Sequence, residues 1–378
     1  MLHSRTLVRR RPGETSAVSA MLSPLLAGVF AGCLVLLGAC QARPPERTVV
    51  VYTSVDQVYS EPILKRFEEK TGIRVLPVYD VEATKTTGLV NRLIAEKDRP
   101  QADLFWNGEF AQTLLLKDKG VLAPYRPPTA KDLPAQYVDP DGYWTGLAGR
   151  ARVLLVNTDR ISPSESPRSL DDLLLPRWPG AQIGIAYPMF GTAATHAAAL
   201  YAAWGPERAR DWHARLKSRG VRVVDGNSVV RDLVAGGQLM MGLTDTDDAC
   251  GALKKGAPVA LVFLDQDEKG LGTLVIPGTV ALIAGGPHPP EAKALLDFLA
   301  SKEVEQMLAA SGWSQIPLRA VSEQPVCAAP AGGTDVPKEQ RGNAAALPGQ
   351  VKGMAVGLAE TYRLLEDAKR DLSDLFIR

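Results

Sequence analysis

The residues best suited to chemistry lie in one short run, Met240–Ala249, which reads MMGLTDTDDA. The apolar residues Leu239 to Leu243 read as a buried strand, which delivers Asp245, Asp247 and Asp248 into the loop at its end. Three carboxylates so close repel one another and need a positive partner: a helix N-terminus, a bound cation, or both. Two readings stand. In one, Thr246 is an N-cap, Asp247 and Asp248 fill the first turn of a helix, Lys254 and Lys255 sit in its last turn, and Gly256 stops it. In the other, the carboxylates hold a hard cation.

A second stretch has the opposite sign. Gly191 and Thr192 stand where an Ala-rich helix, Ala193–Trp204, opens, and the free backbone N–H groups of a helix start make an anion seat. The alternative is that Gly191 only makes the turn. Thiolate and imidazole chemistry finds little support. The four cysteines, Cys33, Cys40, Cys250 and Cys327, form no C-x-x-C, and beyond residue 39 only His196, His213 and His288 remain, so a zinc site is not expected.

The elements that position these groups read as repeating α/β units. Arg47–Thr53 is a β-branched strand followed by a loop holding Asp56. A helix over Ser60–Thr71 ends at Gly72, and a strand follows over Ile73–Val78. A helix over Lys85–Lys97 precedes a third strand, Ala102–Trp106, with Glu109 in the loop beyond it. Parallel βαβ units put Asp56 and Glu109 on the carboxyl edge of the sheet, where ligand sites of α/β folds form. Ala151–Asn157 is a long apolar strand. Ile183–Ala186 and Val221–Asp225 are further strands, and Asn227 and Ser228 precede a helix over Val229–Val234 that Ser228 could cap. Thr279–Ala284 reads as a returning strand, followed by helices over Pro290–Ala300 and Lys302–Ser311. Ala328–Gly349 is an irregular stretch, and a last helix covers Val356–Phe376.

At 378 residues the chain is long for one core, and two lobes are expected. It is 46% hydrophobic and 22% charged with a formal charge of +1, a balance that offers nucleic acid nothing. The first 39 residues contain four arginines followed by an apolar run, the pattern of a leader. Leu37-Gly38-Ala39-Cys40 resembles the lipobox of bacterial lipoproteins, which implies cleavage before Cys40 and a lipid anchor on it. Residues 40–46 then form a tether. Cys250 and Cys327 could pair in an oxidising compartment or stay as buried thiols.

Five motifs taken in order carry a wider resemblance: Val50–Ser54, Phe67–Val75, Gln101–Trp106, Gly120–Tyr125 and Gly146–Val153. Together they resemble the landmarks of ferric-iron-binding proteins, the extracellular solute-binding proteins of ABC importers, over about Thr48 to Arg319. The resemblance implies an α/β fold of the type II-like periplasmic-binding-protein kind, with two lobes joined by crossover strands and a cleft between them. Its divisions would be 47–150 and 279–325 for the first lobe, 151–278 for the second, and 326–378 as a C-terminal segment packing on the second lobe.

That family holds its metal with a histidine after the first strand, a glutamate after the third and a tyrosine pair in the second lobe. Here Asp56 falls at the histidine, Asp247-Asp248 at the tyrosines, and Glu109 one residue from the glutamate, whose place Gly108 takes. The resemblance thus implies an all-oxygen set, Asp56, Glu109, Asp245, Asp247 and Asp248, for a metal cation as bound ligand, with no catalytic cofactor. Arg150 and Arg152, near the hinge, would bind a synergistic anion with Gly191 and Thr192; a structural ion pair is the competing role for Arg152. Trp106, Tyr52 and Tyr187 pack, or one of them stacks on a cation. The expected protein is a monomeric, lipid-anchored binding protein on the periplasmic side of the cell envelope that hands a small polar solute to a permease. A zwitterionic solute such as an aminoalkylphosphonate is the alternative. A secreted metal-dependent hydrolase is a third, weakened because no histidine completes a constellation.

Overall fold

The computed structural model describes residues 47–80, 87–311, 315–321 and 351–376. The leader, the tether, Cys40, Cys327, the start of the second expected helix and the stretch Ala328–Gly349 lie outside the described residues. No helix among the described residues is long and apolar enough to cross a membrane.

Strand β1 (Thr48–Thr53) buries Val49 and Val51 on one face and Tyr52 on the other, as a strand covered on both sides must. It pairs in parallel with β2 (Arg74–Tyr79) and β3 (Leu104–Asn107). Helix α1 (Gln57–Thr71) crosses between β1 and β2, buries Ile63, Leu64 and Phe67, and ends at Gly72 in the left-handed conformation (φ 66°). Helices α2 (Thr87–Ala95) and α3 (Ala111–Asp118) flank β3, and the short strand β4 (Leu122–Ala123) follows.

The 13-residue strand β5 (Thr145–Asn157) then leaves this half of the molecule for the other. Beyond it come β6 (Ile183–Ala186), α4 (Gly191–Trp204), α5 (Pro206–Ser218), β7 (Arg222–Val224), α6 (Asn227–Ala235), β8 (Met241–Asp245), α7 (Thr246–Lys254) and β9 (Val259–Val262). Strands β6, β7 and β8 run parallel. Strand β10 (Val275–Ile283) returns, followed by α8 (Pro289–Leu299), α9 (Lys302–Ala310) and the last helix, α10 (Leu358–Phe376). The strand order is β2-β1-β3-β10-β5-β8-β6-β7.

The crossover is a single antiparallel ribbon. Residues Thr145–Ala151 of β5 pair with β10, whereas Arg152–Val156 pair with β8. The change falls beside an irregular stretch. Ala148 has φ 47°, the β5–β10 register shifts at Pro277/Gly278, and Gly149 exchanges two backbone hydrogen bonds with Ile316. A fully buried carboxylate supports the kink: Glu305 accepts from the Ala148 and Leu318 backbone N–H groups at 3.1 Å and from Arg319 Nε at 3.0 Å.

Three local expectations need correction. The N-cap of α7 is Asp245 and Thr246 is its first helical residue, because the Thr246 hydroxyl accepts instead from the Ala151 backbone N–H at 3.1 Å. The N-cap of α6 is Gly226, so Asn227 and Ser228 belong to the helix. Gly191 and Thr192 likewise form the first turn of α4 rather than a loop before it. Helix α10 buries Ala368 in the core of the second half, Leu372 is fully buried on the same helix, and Asp371 accepts a hydrogen bond from the Tyr201 hydroxyl of α4.

Candidate functional site

Because β6, β7 and β8 are parallel, the helices that follow them all begin at the same edge of the sheet. Those starts supply Thr192 on α4, Asn227 on α6, and Asp247 and Asp248 on α7, around Asp245 at the end of β8. Close approach of α6 to β8 depends on Gly242, where a Cβ would lie 2.4 Å from Val230 Cγ1 and 2.9 Å from the Gly184 carbonyl oxygen.

Asp245 is 1% exposed and fully engaged. Its Oδ1 accepts from Arg152 Nη1 at 2.6 Å, and its Oδ2 accepts from the Thr192 hydroxyl at 2.5 Å and Asn227 Nδ2 at 3.0 Å. Arg152 Nη1 also donates to Asn227 Oδ1 at 2.9 Å. Arg152 and Thr192, expected on an exogenous anion, are therefore committed to the protein's own carboxylate. The structural ion pair weighed for Arg152 is present.

The other two aspartates have their own partners. Asp247 Oδ2 accepts from Arg150 Nη1 at 3.2 Å, and Asp248 Oδ1 from Arg231 Nη1 at 3.0 Å. Carboxylate oxygens of Asp245, Asp247 and Asp248 still lie within 4.8 Å of one another. Burial raises Asp247, reinforced by Asp245 and opposed by Arg150. Burial, with the Asp247 and Asp245 charges, pushes Asp248 up to about 7.

Arg150 ties this cluster to the first half of the molecule. Its Nη2 donates to the Gly108 carbonyl at 2.9 Å, in the loop beyond β3. That loop is locked to the loop beyond β1, since Ser54 Oγ donates to Asn107 Oδ1 at 2.6 Å and accepts from Gly108 N at 3.0 Å. Glu109 accepts from the Ala111 and Gln112 backbone N–H groups at 2.7 and 3.0 Å, capping α3. Burial raises its carboxyl, against the pull of those N–H groups and of Arg150.

The structure thus brings Glu109, Arg150, Asp245, Asp247 and Asp248 into one electrostatic cluster, with Arg152 and Thr192 beneath Asp245. The principal charges acting on Arg150 are Asp247, Asp245, Asp248 and Glu109; Asp56 is not among them and sits exposed at the N-cap of α1. Gly191 is exposed at the α4 start with φ 51°. Tyr52 and Trp106 are buried packing residues, and the Tyr52 hydroxyl bonds Glu96.

Sequence reasoning missed Asn227 and Arg231. They stand i and i+4 on α6, and the usable signal was a helix opening with Asn at the same carboxyl edge as the acidic loop. The positive partner that the three carboxylates need is supplied by Arg150, Arg152 and Arg231 in addition to the start of α7.

His213 and His288 stand apart from the cluster, while His196 lies on α4 one turn beyond Thr192 and is buried near the Arg152 charge. His213 Nδ1 bonds the Ala209 carbonyl. His288 lies between Asp103 (2.9 Å from Nδ1) and Thr48 (3.2 Å from Nε2) at the start of β1. That Asp–His–Thr array has the order of a nucleophilic triad but an unsuitable setting. The adjoining helix α8 begins Pro289-Pro290, which lack the N–H donors an oxyanion would need. Cys250 is buried and disulfide-bonded.

Comparison with known proteins gives the arrangement a context. The family described as bacterial extracellular solute-binding protein matches residues 99–340. The "Probable ABC transporter periplasmic-binding protein y4fP" of Sinorhizobium fredii is 30% identical over 241 residues, 61% of this chain and 64% of that protein. The "Major ferric iron-binding protein" of Neisseria meningitidis serogroup B is 25% identical over 273 residues, 71% of this chain and 80% of its own. The crystal structure of iron-bound HitA from Pseudomonas aeruginosa superposes with a TM-score of 0.69 at 25% identity, covering 86% of this chain and 99% of that one.

Proposed function

Since the chain belongs to the bacterial extracellular solute-binding proteins, we propose that it captures a small polar solute, a hard metal cation of the iron type with an accompanying anion, and delivers it to the permease of an ABC importer. One observation carries this reading. Oxygens of Asp247 and Asp248, with Asp245 beside them, lie within 4.8 Å of one another, close enough for Asp247 and Asp248 to share one ion, because two oxygens at hard-cation bond lengths are at most about 4–5 Å apart.

The contacts divide the labour. Asp245, saturated by Arg152, Thr192 and Asn227, fixes the start of α7, and Asp247 and Asp248 exchange their guanidinium partners for the cation. Glu109 adds a carboxylate from the first half. Arg150, released from Asp247, is then the nearest cation for the accompanying anion. The similarity to proteins named for ferric iron supports iron as cargo. The lobes are 47–150 with 279–325, and 151–278, with the C-terminal segment on the second. Cys40 carries the lipid anchor, which holds a monomer at the periplasmic face.

Isothermal titration of the purified protein with citrate-buffered ferric iron, and separately with 2-aminoethylphosphonate, tests the proposal. Saturable binding of iron, weakened by Asp247→Asn, is expected. Binding of the phosphonate alone, or iron binding indifferent to that substitution, overturns it.

A further inference from the structure

The last helix does not stay on one half of the molecule. Along α10 the residues Leu358, Thr361, Leu365, Ala368 and Leu372 recur at spacings of three and four, which sets them in one stripe down one face. The two ends of that stripe belong to different cores. Leu358 joins a cluster drawn mainly from the first half, which includes Leu114 and Leu116 of α3, and Tyr362 packs against it. Ala368 joins the cluster that includes Tyr201 of α4 and Trp212 of α5, and Leu365 packs against both clusters.

Polar contacts repeat the division. The Tyr362 hydroxyl bonds the carboxylate of Asp118, the last residue of α3. Further along, Asp371 accepts from the Tyr201 hydroxyl at 3.4 Å, the Leu375 carbonyl accepts from Lys217 Nζ of α5, and the Phe376 ring meets that of His213 edge-on at 6.3 Å. The segment ahead of the helix is fastened as well, to the loop that precedes β10. Thr273 N donates to the Lys352 carbonyl at 2.8 Å, Met354 N donates to the Thr273 carbonyl at 2.9 Å, and Lys352 Nζ donates to the Asp267 and Glu268 carbonyls at 2.9 Å. Both flanks of the segment are thus held by the second half, and the stretch between them, Leu358–Tyr362, reaches over to the first.

What that stretch grips leads to the acidic cluster. Helix α3 starts just beyond Glu109, whose carboxylate caps it, and ends at Asp118. Its eight residues span about 12 Å. Tyr362 therefore holds α3 by the end opposite the one that carries Glu109, and a short rigid helix displaced at one end moves the other.

We propose that α10 is a strap between the halves: carried by the second half, it grips α3 through Leu358 and Tyr362 and limits how far Glu109 moves relative to Asp247 and Asp248. A change in the angle between the halves has to slide or break that grip, because α10 and the β5–β10 ribbon connect the halves at separate places. The strap rests on the binding-protein reading only for its consequence at Glu109.

Amide hydrogen exchange of the ligand-free protein, resolved by residue with NMR, tests this. Tyr362→Phe removes the bond to Asp118 and keeps the ring, and Leu358→Ala shortens the buried side chain. Each should speed exchange several-fold at Gly149 and Ile316, whose N–H groups bond each other's carbonyls where β5 passes between the halves, relative to the amides of β1, which report opening of the core. Faster exchange confined to α10 overturns the strap. Should Leu358→Ala not fold, Tyr362→Phe carries the test alone, since it leaves the packing in place. Calorimetry with citrate-buffered ferric iron adds a second readout: affinity should fall several-fold in Tyr362→Phe, and an unchanged affinity beside faster exchange at Gly149 and Ile316 overturns the link to Glu109. If those amides respond and iron binds neither protein, the functional reading fails and the strap stands.

Discussion

Arg152 and Asp245 are register partners on neighbouring antiparallel strands, and Arg152 Nη1 lies 2.6 Å from Asp245 Oδ1. Both are almost fully buried, so each guards the other against an isolated interior charge. Asp245→Ala strands the guanidinium. Urea unfolding should show a loss of about 3–5 kcal/mol, and a smaller loss in Asp245→Asn, which keeps the shape and one acceptor.

Asp248 should behave differently. Its carboxyl is already half protonated near neutrality, so the neutral amide of Asp248→Asn resembles a form the ligand-free protein adopts. Unfolding stability at pH 7 should change by no more than about 1 kcal/mol. Iron affinity, which needs the carboxylate, should fall on the order of tenfold, equivalent to about 1.4 kcal/mol, as read by calorimetry.

The same group sets a pH dependence. Asp248 rises from 3.8 to about 7 on folding, so between those values the folded chain binds more protons than the unfolded one. Its contribution to stability is therefore greatest below that window and declines as pH rises through it. Cation capture runs the opposite way because the proton must leave. Affinity should climb up to about tenfold per pH unit below 7 and flatten above. Comparison with Asp248→Asn at each pH removes the changes of the iron chelate itself, and equal slopes in both proteins would refute the assignment.

Gly242 offers a test of packing under the site. An added methyl would press on Val230 and the Gly184 carbonyl at distances no real Cβ tolerates. Gly242→Ala should cost about 1–3 kcal/mol in denaturant unfolding, and weaken iron binding as α6 shifts Asn227 away from Asp245.

Much of this was legible in the residues. Strand β6 runs over the expected Ile183–Ala186, because buried parallel strands declare themselves as short apolar runs, whereas β8 starts at Met241, two residues into the expected Leu239–Leu243, and takes in Asp245 as its last residue. Cap positions were less legible. Thr246 was the natural N-cap by residue type, yet its hydroxyl is taken by Ala151, a contact from a strand 95 residues away. The same limit hid Arg231 and the commitment of Thr192: each depends on which loops meet at the sheet edge, a matter of topology that no local pattern encodes. Asp56, placed by motif position, is exposed at the N-cap of α1 and is not among the main charges on Arg150.

The β5–β10 ribbon has a mechanical implication. Where β5 and β10 pass between the halves they are hydrogen-bonded to each other, so a relative motion there twists both strands together. The left-handed Ala148 and the slip at Pro277/Gly278 are the irregular point of that ribbon, a few residues from Arg150. A twist at that point moves the guanidinium with it, so the angle between halves and the grip on Asp247 are geared together. A probe that reads either one would report the other.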